Sequence, residues 1–321
     1  MGALTVSVII PVYDAAKFIA GALDSVFAQT FLDYEVIIIN DGSVDTEELE
    51  AVLEPYRTRI VYLKQENGGP GKARNYGILS AQGEYVAFLD SDDRMLPEYL
   101  ETQLRLFEKD HSLDLVYSDL ALEGDSPLSG KTFMETCPSM GQPTFDAVLT
   151  LKCRIPTSAV VARKQALLDA GLFDESLVRA EDYDLWLRLA HLDKKIGYQR
   201  KVLGVRRIHS AALSANLPDM LIATMHVLKK LERNLQLTDQ SRTLLKATLM
   251  RVCAYHDLEQ GKRFLASGNS SDALASLRKA NEVLPNPKLR LVALGLRYVP
   301  SLVIFLTRML QRTIFPRWGA K

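Results

Sequence analysis

Residues 85–97 read YVAFLDSDDRMLP. Val86 to Leu89 form an unbroken apolar run, after which Asp90, Asp92 and Asp93 crowd into four consecutive positions. A short apolar run that stops at turn residues is the pattern of a strand covered on both faces. Carboxylates set so close repel one another, and each loses hydration at the end of a buried strand. Something must offset that cost, and a cation is the first candidate.

The same alternation recurs outward from this stretch. Residues 6–12 (VSVIIPV), 34–40 (YEVIIIN) and 60–63 (IVYL) read as buried strands. Helical patterns separate them over 16–29, 46–56 and 71–81, and the last leads into the strand at 84–89. Beyond the carboxylates a helix is predicted over 97–109, with Pro97 in its first turn, where a missing N–H costs little. A strand at 115–118 follows. Strands alternating with helices make βαβ units, so the expected fold class is α/β, with a mostly parallel sheet and helices on both faces. In such sheets ligands bind beyond the carboxyl ends of the strands. Those ends carry Pro11-Val12-Tyr13, Asn40-Asp41-Gly42-Ser43, the glycine-rich run 66–72 and Asp90-Ser91-Asp92-Asp93. Topology alone gathers them into one crevice.

Further along, 124–143 is rich in Ser, Gly and Pro and reads as a loop. Residues 157–162 suggest a strand, 163–170 a short helix closed by Gly171, and 181–190 a helix with an acidic start. After residue 215 the pattern is all helical. Within it, 264–287 resembles a single tetratricopeptide unit, which cannot bury its own apolar face and must pack on its neighbours. The expected division is 1–215, 216–287 and 288–321.

Composition excludes several classes. Among 321 residues, 47% are hydrophobic and 24% charged, so the chain is not disordered by composition. Lys plus Arg (39) equals Asp plus Glu (39), which leaves no global field to attract nucleic acid. Cys137, Cys153 and Cys253 form no CxxC pair, which argues against a disulfide framework or zinc site and fits a reducing cytosol. The start MGALTVSVIIPVYD lacks the basic opening of a signal peptide. No segment offers the roughly 18 uncharged apolar residues of a spanning helix. After Glu282 no acidic residue occurs, whereas Lys288, Arg290, Arg297, Arg308, Arg312, Arg317 and Lys321 give 288–321 a charge of +7. Interleaved with leucines and aromatics, these basic residues suit either an anionic membrane surface or a terminal helix packed on the protein with its arginines outward. The expected location is the cytoplasm, with peripheral membrane contact the role open to 288–321.

The Asp-x-Asp turn admits a metal clamp, a helix N-cap or a nucleophile. Asp93, just ahead of a helix, suits the cap and leaves two carboxylates unexplained. A calcium loop of the EF-hand kind would need Gly where Met95 stands. An aspartyl-phosphate enzyme would carry its pair after the first strand. What survives is Mg²⁺ or Mn²⁺ held by one or two carboxylates and by substrate phosphates. The run ENGGPGKARN is not a P-loop, because Ala73 follows Gly71-Lys72 where a hydroxyl is required. Lys72 and Arg74 stand near a helix start, where they suit anionic groups or a solvated face equally.

Taken together, VSVIIPVYD (6–14), SVFAQT (25–30), EVIIINDGS (35–43), Asn67-Gly68-Gly69 with Ala73-Arg74-Asn75, FLDSDD (88–93) and Glu181-Asp182 resemble the inverting family-2 glycosyltransferases of the GT-A fold. The resemblance covers roughly residues 4–214. It implies that 1–215 is a catalytic domain moving a sugar from a nucleotide-sugar donor, typically UDP-linked, to an acceptor hydroxyl of a glycan or lipid-linked chain, as in cell-surface polysaccharide or glycolipid synthesis. It implies further that Pro11 and Tyr13 line the base pocket and that Asp41 accepts from the base. Arg74 would stand near the nucleotide phosphates, Asp90 with Ser91 on the ribose side, and Asp92 on the divalent cation. Asp182 matches the general base, with Glu181 beside it and Asp184 second in rank. The late segment Val205-Arg206-Arg207-Ile208-His209 matches one whose His joins the metal or diphosphate. The alternative class is a non-catalytic glycosyltransferase-like module that binds nucleotide or partners.

Overall fold

The computed structural model describes residues 5–210 and 212–303, which fall into two compact units, Met1–Ala215 and Asn216–Lys321. In chain order the first unit contains β1 (Val6–Val12), α1 (Ala16–Phe27), β2 (Tyr34–Asp41), α2 (Thr46–Leu53), β3 (Val61–Gln65), α3 (Gly69–Ser80) and β4 (Tyr85–Phe88). There follow β5 (Arg94–Met95), α4 (Tyr99–Lys109), β6 (Leu113–Gly124), α5 (Phe133–Thr136), α6 (Phe145–Leu149), β7 (Val160–Arg163), α7 (Lys164–Asp169), α8 (Glu181–His191) and β8 (Lys195–Ile208).

The eight strands form one sheet in the order β3-β2-β1-β4-β7-β6-β8-β5. β1 pairs parallel with β2 and β4, β2 with β3, and β6 with β8, while β7 runs antiparallel to β4 and β6, and β5 to β8. The sheet is therefore mostly parallel but mixed. Chain direction out of β1 reverses between β2 on one side and β4 on the other, and a crevice opens at such a switch point.

Alternation along β1 assigns the two faces. Val6, Val8, Ile10 and Val12 share one core cluster with Ile19 and Leu23 of α1, Leu49 and Leu53 of α2, and Tyr99, Leu100 and Phe107 of α4. Ile9 points the other way, under α3, where Gly77 permits close approach: a Cβ at Gly77 would lie 2.5 Å from Ile9 Cγ2 and 2.9 Å from Ile39 Cδ1. On that side the Phe88 ring packs edge-on against Phe173 of the loop before α8, with centroids 5.6 Å apart.

Four local expectations change. The helix after the carboxylates starts at Tyr99 with Glu98 as its N-cap residue, so Asp93 caps nothing. Residues 157–159 are a 3₁₀ turn that precedes β7, not strand. The loop 124–143 contains the short α5, held by a Thr132–Glu135 capping box. Residues 195–208 are a long strand, β8, which sequence pattern did not reveal.

The second unit is helical throughout its described length: α9 (Leu217–Asn234), α10 (Asp239–Ser267), α11 (Ser270–Val283) and α12 (Pro287–Tyr298). Gly268, at φ +84°, ends α10 in the left-handed conformation glycine favours, and Asn269 caps α11 by accepting from the Asp272 N–H. The tetratricopeptide-like hairpin is α10 with α11, Leu277 packing at Gly261. Of the basic segment 288–321, residues 304–321 lie outside the described residues. Among those described, no helix is long and apolar enough to cross a membrane.

Candidate active site

The carboxyl ends of β1 and β2 are clasped together. Asp14, at φ +48°, accepts the Val44 N–H (2.7 Å) and donates its own N–H to Ser43 Oγ (3.2 Å). Pro11 sits half-buried in β1, and Tyr13 is 49% exposed just beyond it, open to a ligand. Asp41, at the end of β2, is buried and accepts the N–H groups of Gly68 and Gly69 (both 2.9 Å) and the Gln65 amide (2.7 Å). It thereby ties the loop that starts α3. A carboxylate offers about four acceptor sites, so room remains for a fourth donor. Gly42 is required beside it: its φ is +67°, and a Cβ there would lie 2.7 Å from the Asn67 nitrogen.

Arg74 of α3 occupies the centre. It is 4% exposed, with Nη2 2.7 Å from Asp90 Oδ1 and Nη1 2.7 Å from Glu181 Oε1. Burial works against its charge, but Asp90 and Glu181 outweigh burial and hold its pKa above the ordinary value. Both of its terminal nitrogens are engaged by carboxylates, one from the turn after β4 and one from α8. Burial pushes Glu181 up to about 7, the Asp182 charge adds to this, and Arg74 opposes it. Lys72 is half-buried two residues earlier, in the first turn of α3, and Ser91 is half-buried between Asp90 and Asp92.

The crowded carboxylates separate into three environments. Asp90 pairs with Arg74, and its N–H donates to Ser158 Oγ at 3.1 Å. Asp92 meets His209, Oδ2 to Nε2 at 2.7 Å, with side chains 22% and 26% exposed. The His209 ring also packs on Phe18 of α1, centroids 5.2 Å apart. Asp93 is buried and accepts the Arg207 N–H at 2.9 Å. Burial pushes its carboxyl up to about 8, reinforced by the charges of Asp90 and Asp92 and opposed by Arg206 and the Ser158 hydroxyl. Asp93 thus fastens the end of β8 to the Asp-x-Asp turn and, with Arg207, brings His209 to Asp92.

Asp182 lies in the first turn of α8. Neither it nor Glu181 is the N-cap, which is Ala180 at φ +59°. Asp182 Oδ2 accepts from Thr157 Oγ1 at 2.9 Å, and Oδ1 accepts the Tyr183 N–H at 2.7 Å. Asp184 is elsewhere in function: fully buried, it pairs with Arg188 at 2.8 Å, and Arg188 in turn donates to the Leu172 carbonyl. Its carboxylate is committed to holding α8 against the preceding loop. Thr157 and Ser158 are residues of this corner that sequence reading missed, and Asp93 and Arg207 are ones whose contact with each other it did not foresee. Each lies in or beside an element whose bounds the sequence placed wrongly.

Whether a divalent cation fits can be judged from the donors present. Asp92 Oδ2 and His209 Nε2 contact one another directly at 2.7 Å and stay partly open to solvent. Among the described residues no three or more His, Cys, Asp or Glu side chains converge. This donor set suits an ion that completes its shell from ligand phosphates and water, as Mg²⁺ and Mn²⁺ do.

Residues 7–142 match the model of glycosyl transferase family 2. An uncharacterized glycosyltransferase of Rickettsia felis is 32% identical over 207 residues, 64% of this chain and 34% of that protein. The chain therefore spans about a third of that relative's length. Among solved structures, S. aureus TarS 1–349 in complex with UDP-GlcNAc aligns with a TM-score of 0.63 at 20% identity, covering 98% of this chain and 93% of that one. The mannosyltransferase PcManGT from Pyrobaculum calidifontis, in complex with GDP-Man and Mn²⁺, aligns with a TM-score of 0.59 at 15% identity, covering 96% and 87%. The fold is shared with both. Six ordered motifs, the switch-point crevice and the family match agree: the stretch 7–142 belongs to glycosyl transferase family 2.

Proposed function

We propose that the protein moves a sugar from a nucleoside diphosphate sugar, UDP-linked, to an acceptor hydroxyl with inversion at the anomeric carbon, in the assembly of a cell-surface polysaccharide or glycolipid. One observation carries this reading: Arg74 draws the donor-side Asp90 and the Glu181-Asp182 pair into a single ionic cluster at the carboxyl edge of the sheet.

In this reading Pro11 and Tyr13 flank the base, and Asp41 receives its N–H. Asp90 and Ser91 face the ribose, and Lys72 adds positive charge at the start of α3. Asp92 and His209 would hold Mn²⁺ or Mg²⁺, which neutralises charge developing on the leaving diphosphate. The acceptor oxygen bonds to the anomeric carbon as the bond to the diphosphate breaks, and the diphosphate departs with the electron pair. The acceptor proton passes to the Asp182 carboxylate. A single displacement needs only this one base, unlike the carboxylate pairs of glycosidases. That the UDP-GlcNAc complex of TarS shares the fold supports a nucleotide-sugar donor. At the other end of the chain, Leu291, Leu294 and Tyr298 of α12 are exposed beside Arg290 and Arg297, in keeping with a peripheral membrane contact through 288–321.

The test is a panel of UDP-, GDP- and dTDP-sugars, assayed for donor hydrolysis and thermal shift with Mn²⁺ or Mg²⁺, with and without EDTA. Turnover of a UDP-sugar that stops in EDTA and returns with metal is expected. Full activity in chelator would remove the metal from the account, and no response to any sugar nucleotide would remove the enzyme.

A further inference from the structure

Two hydroxyls that no motif singles out stand between the base and the donor turn. Thr157 and Ser158 are consecutive in the buried 3₁₀ turn Thr157–Ala159, which runs directly into β7. Thr157 Oγ1 donates to Asp182 Oδ2 at 2.9 Å, and Ser158 Oγ accepts the Asp90 N–H at 3.1 Å. Ser158 also lies beside the Asp93 carboxyl and favours its charged form. β7 pairs with β4, whose end carries Asp90, and its register (Tyr85 with Arg163, Ala87 with Val161) fixes the turn against that end.

We propose that Thr157 and Ser158 are positioning residues that set the separation of base and donor turn, each acting on a different half of the reaction. This inference rests on the role proposed for Asp182. Thr157 holds one oxygen of Asp182 while Tyr183 N–H holds the other, so the carboxylate is fixed in one rotamer with lone pairs left for the acceptor proton. Glu181 on the same helix and Arg74 of α3 are the charged groups that share this corner. Ser158 acts on the other side and holds the backbone of the Asp90 turn from below. Neither residue touches the reacting atoms. Because they are adjacent on one rigid turn, the distance between the two halves is set by a single peptide unit.

Opposite kinetic signatures follow. Thr157→Val removes the donor at nearly constant shape and should lower kcat about tenfold, with the donor KM unchanged within about twofold. Thr157→Ser, which keeps the hydroxyl, should restore kcat. Ser158→Ala should raise the donor KM several-fold and leave kcat nearly intact. A residue that only packs would instead move both parameters, or thermal stability alone. Should Thr157→Val fail to fold, Thr157→Ala against Thr157→Ser gives the same comparison. Wild-type kcat in Thr157→Val, or a Thr157→Ser variant as slow as Thr157→Val, would overturn the proposal. Asp182→Asn assayed in parallel separates the two levels: active Asp182→Asn overturns the base assignment itself, whereas inactive Asp182→Asn with unimpaired Thr157→Val overturns only the positioning role.

Discussion

Asp93 shows how one residue's surroundings decide its state. Its carboxyl is pushed up to about 8 from an ordinary 3.8, because burial and the charges of Asp90 and Asp92 oppose ionisation. A carboxyl whose folded-state pKa is raised binds its proton more tightly when folded. Its stabilisation is complete below pH 3.8 and is lost as pH climbs through about 8. Asp93→Asn keeps the shape and an acceptor for the Arg207 N–H but has no proton to lose. In chelator, urea-unfolding midpoints should therefore fall between about pH 5 and about pH 8.5 more steeply for wild type than for Asp93→Asn. Glu181, pushed up to about 7, adds its own share of the fall in both proteins. Equal slopes would show that Asp93 is not buried as described. Sequence alone made this residue a helix cap, since an Asp ahead of a Pro-led helix fits that pattern. The helix starts at Tyr99 instead, and the carboxyl turns toward β8.

At the scale of elements, legibility followed apolar content. β1, β2 and β4 are covered on both faces and pair in parallel, so their sequences are near-continuous apolar runs. β8 carries Lys195, Arg200, Lys201, Arg206 and Arg207, and its register against β6 shifts three times, so neither run nor alternation survives in the sequence. The antiparallel insertion of β7 was equally hidden, because pairing direction leaves no mark on a four-residue strand. The unread strand β8 brings His209 to Asp92, and the unread pairing of β7 brings Ser158 to Asp90, which is why these supports of the site went unread. The helix α3 is the element whose placement matters most for Arg74. Alanine is favoured over glycine within a helix by about 1 kcal/mol, but a Cβ at Gly77 would press on Ile9 and Ile39, and such overpacking costs about 1–3 kcal/mol. Gly77→Ala should therefore destabilise the protein in chemical denaturation and loosen Arg74's pairing. A stabilised variant would contradict the close packing of α3 on the sheet.

For the whole molecule, the family motifs occupy the unit Met1–Ala215, and the helical unit Asn216–Lys321 carries none of them. The residues at the strand ends were legible because the sheet imposes their spacing. Acceptor and sugar identity were not, since the segments after β6 carry no motif of fixed spacing that would name them. The central claim is that Asp182 accepts the acceptor's proton, in a site whose donor half stands without it. Asp182→Asn in the full chain tests it most directly, with transfer and donor binding measured on the same preparation. Transfer should fall at least about a hundredfold, the usual contribution of a general base, while the donor still binds with near wild-type affinity. Near wild-type turnover in Asp182→Asn would contradict the account.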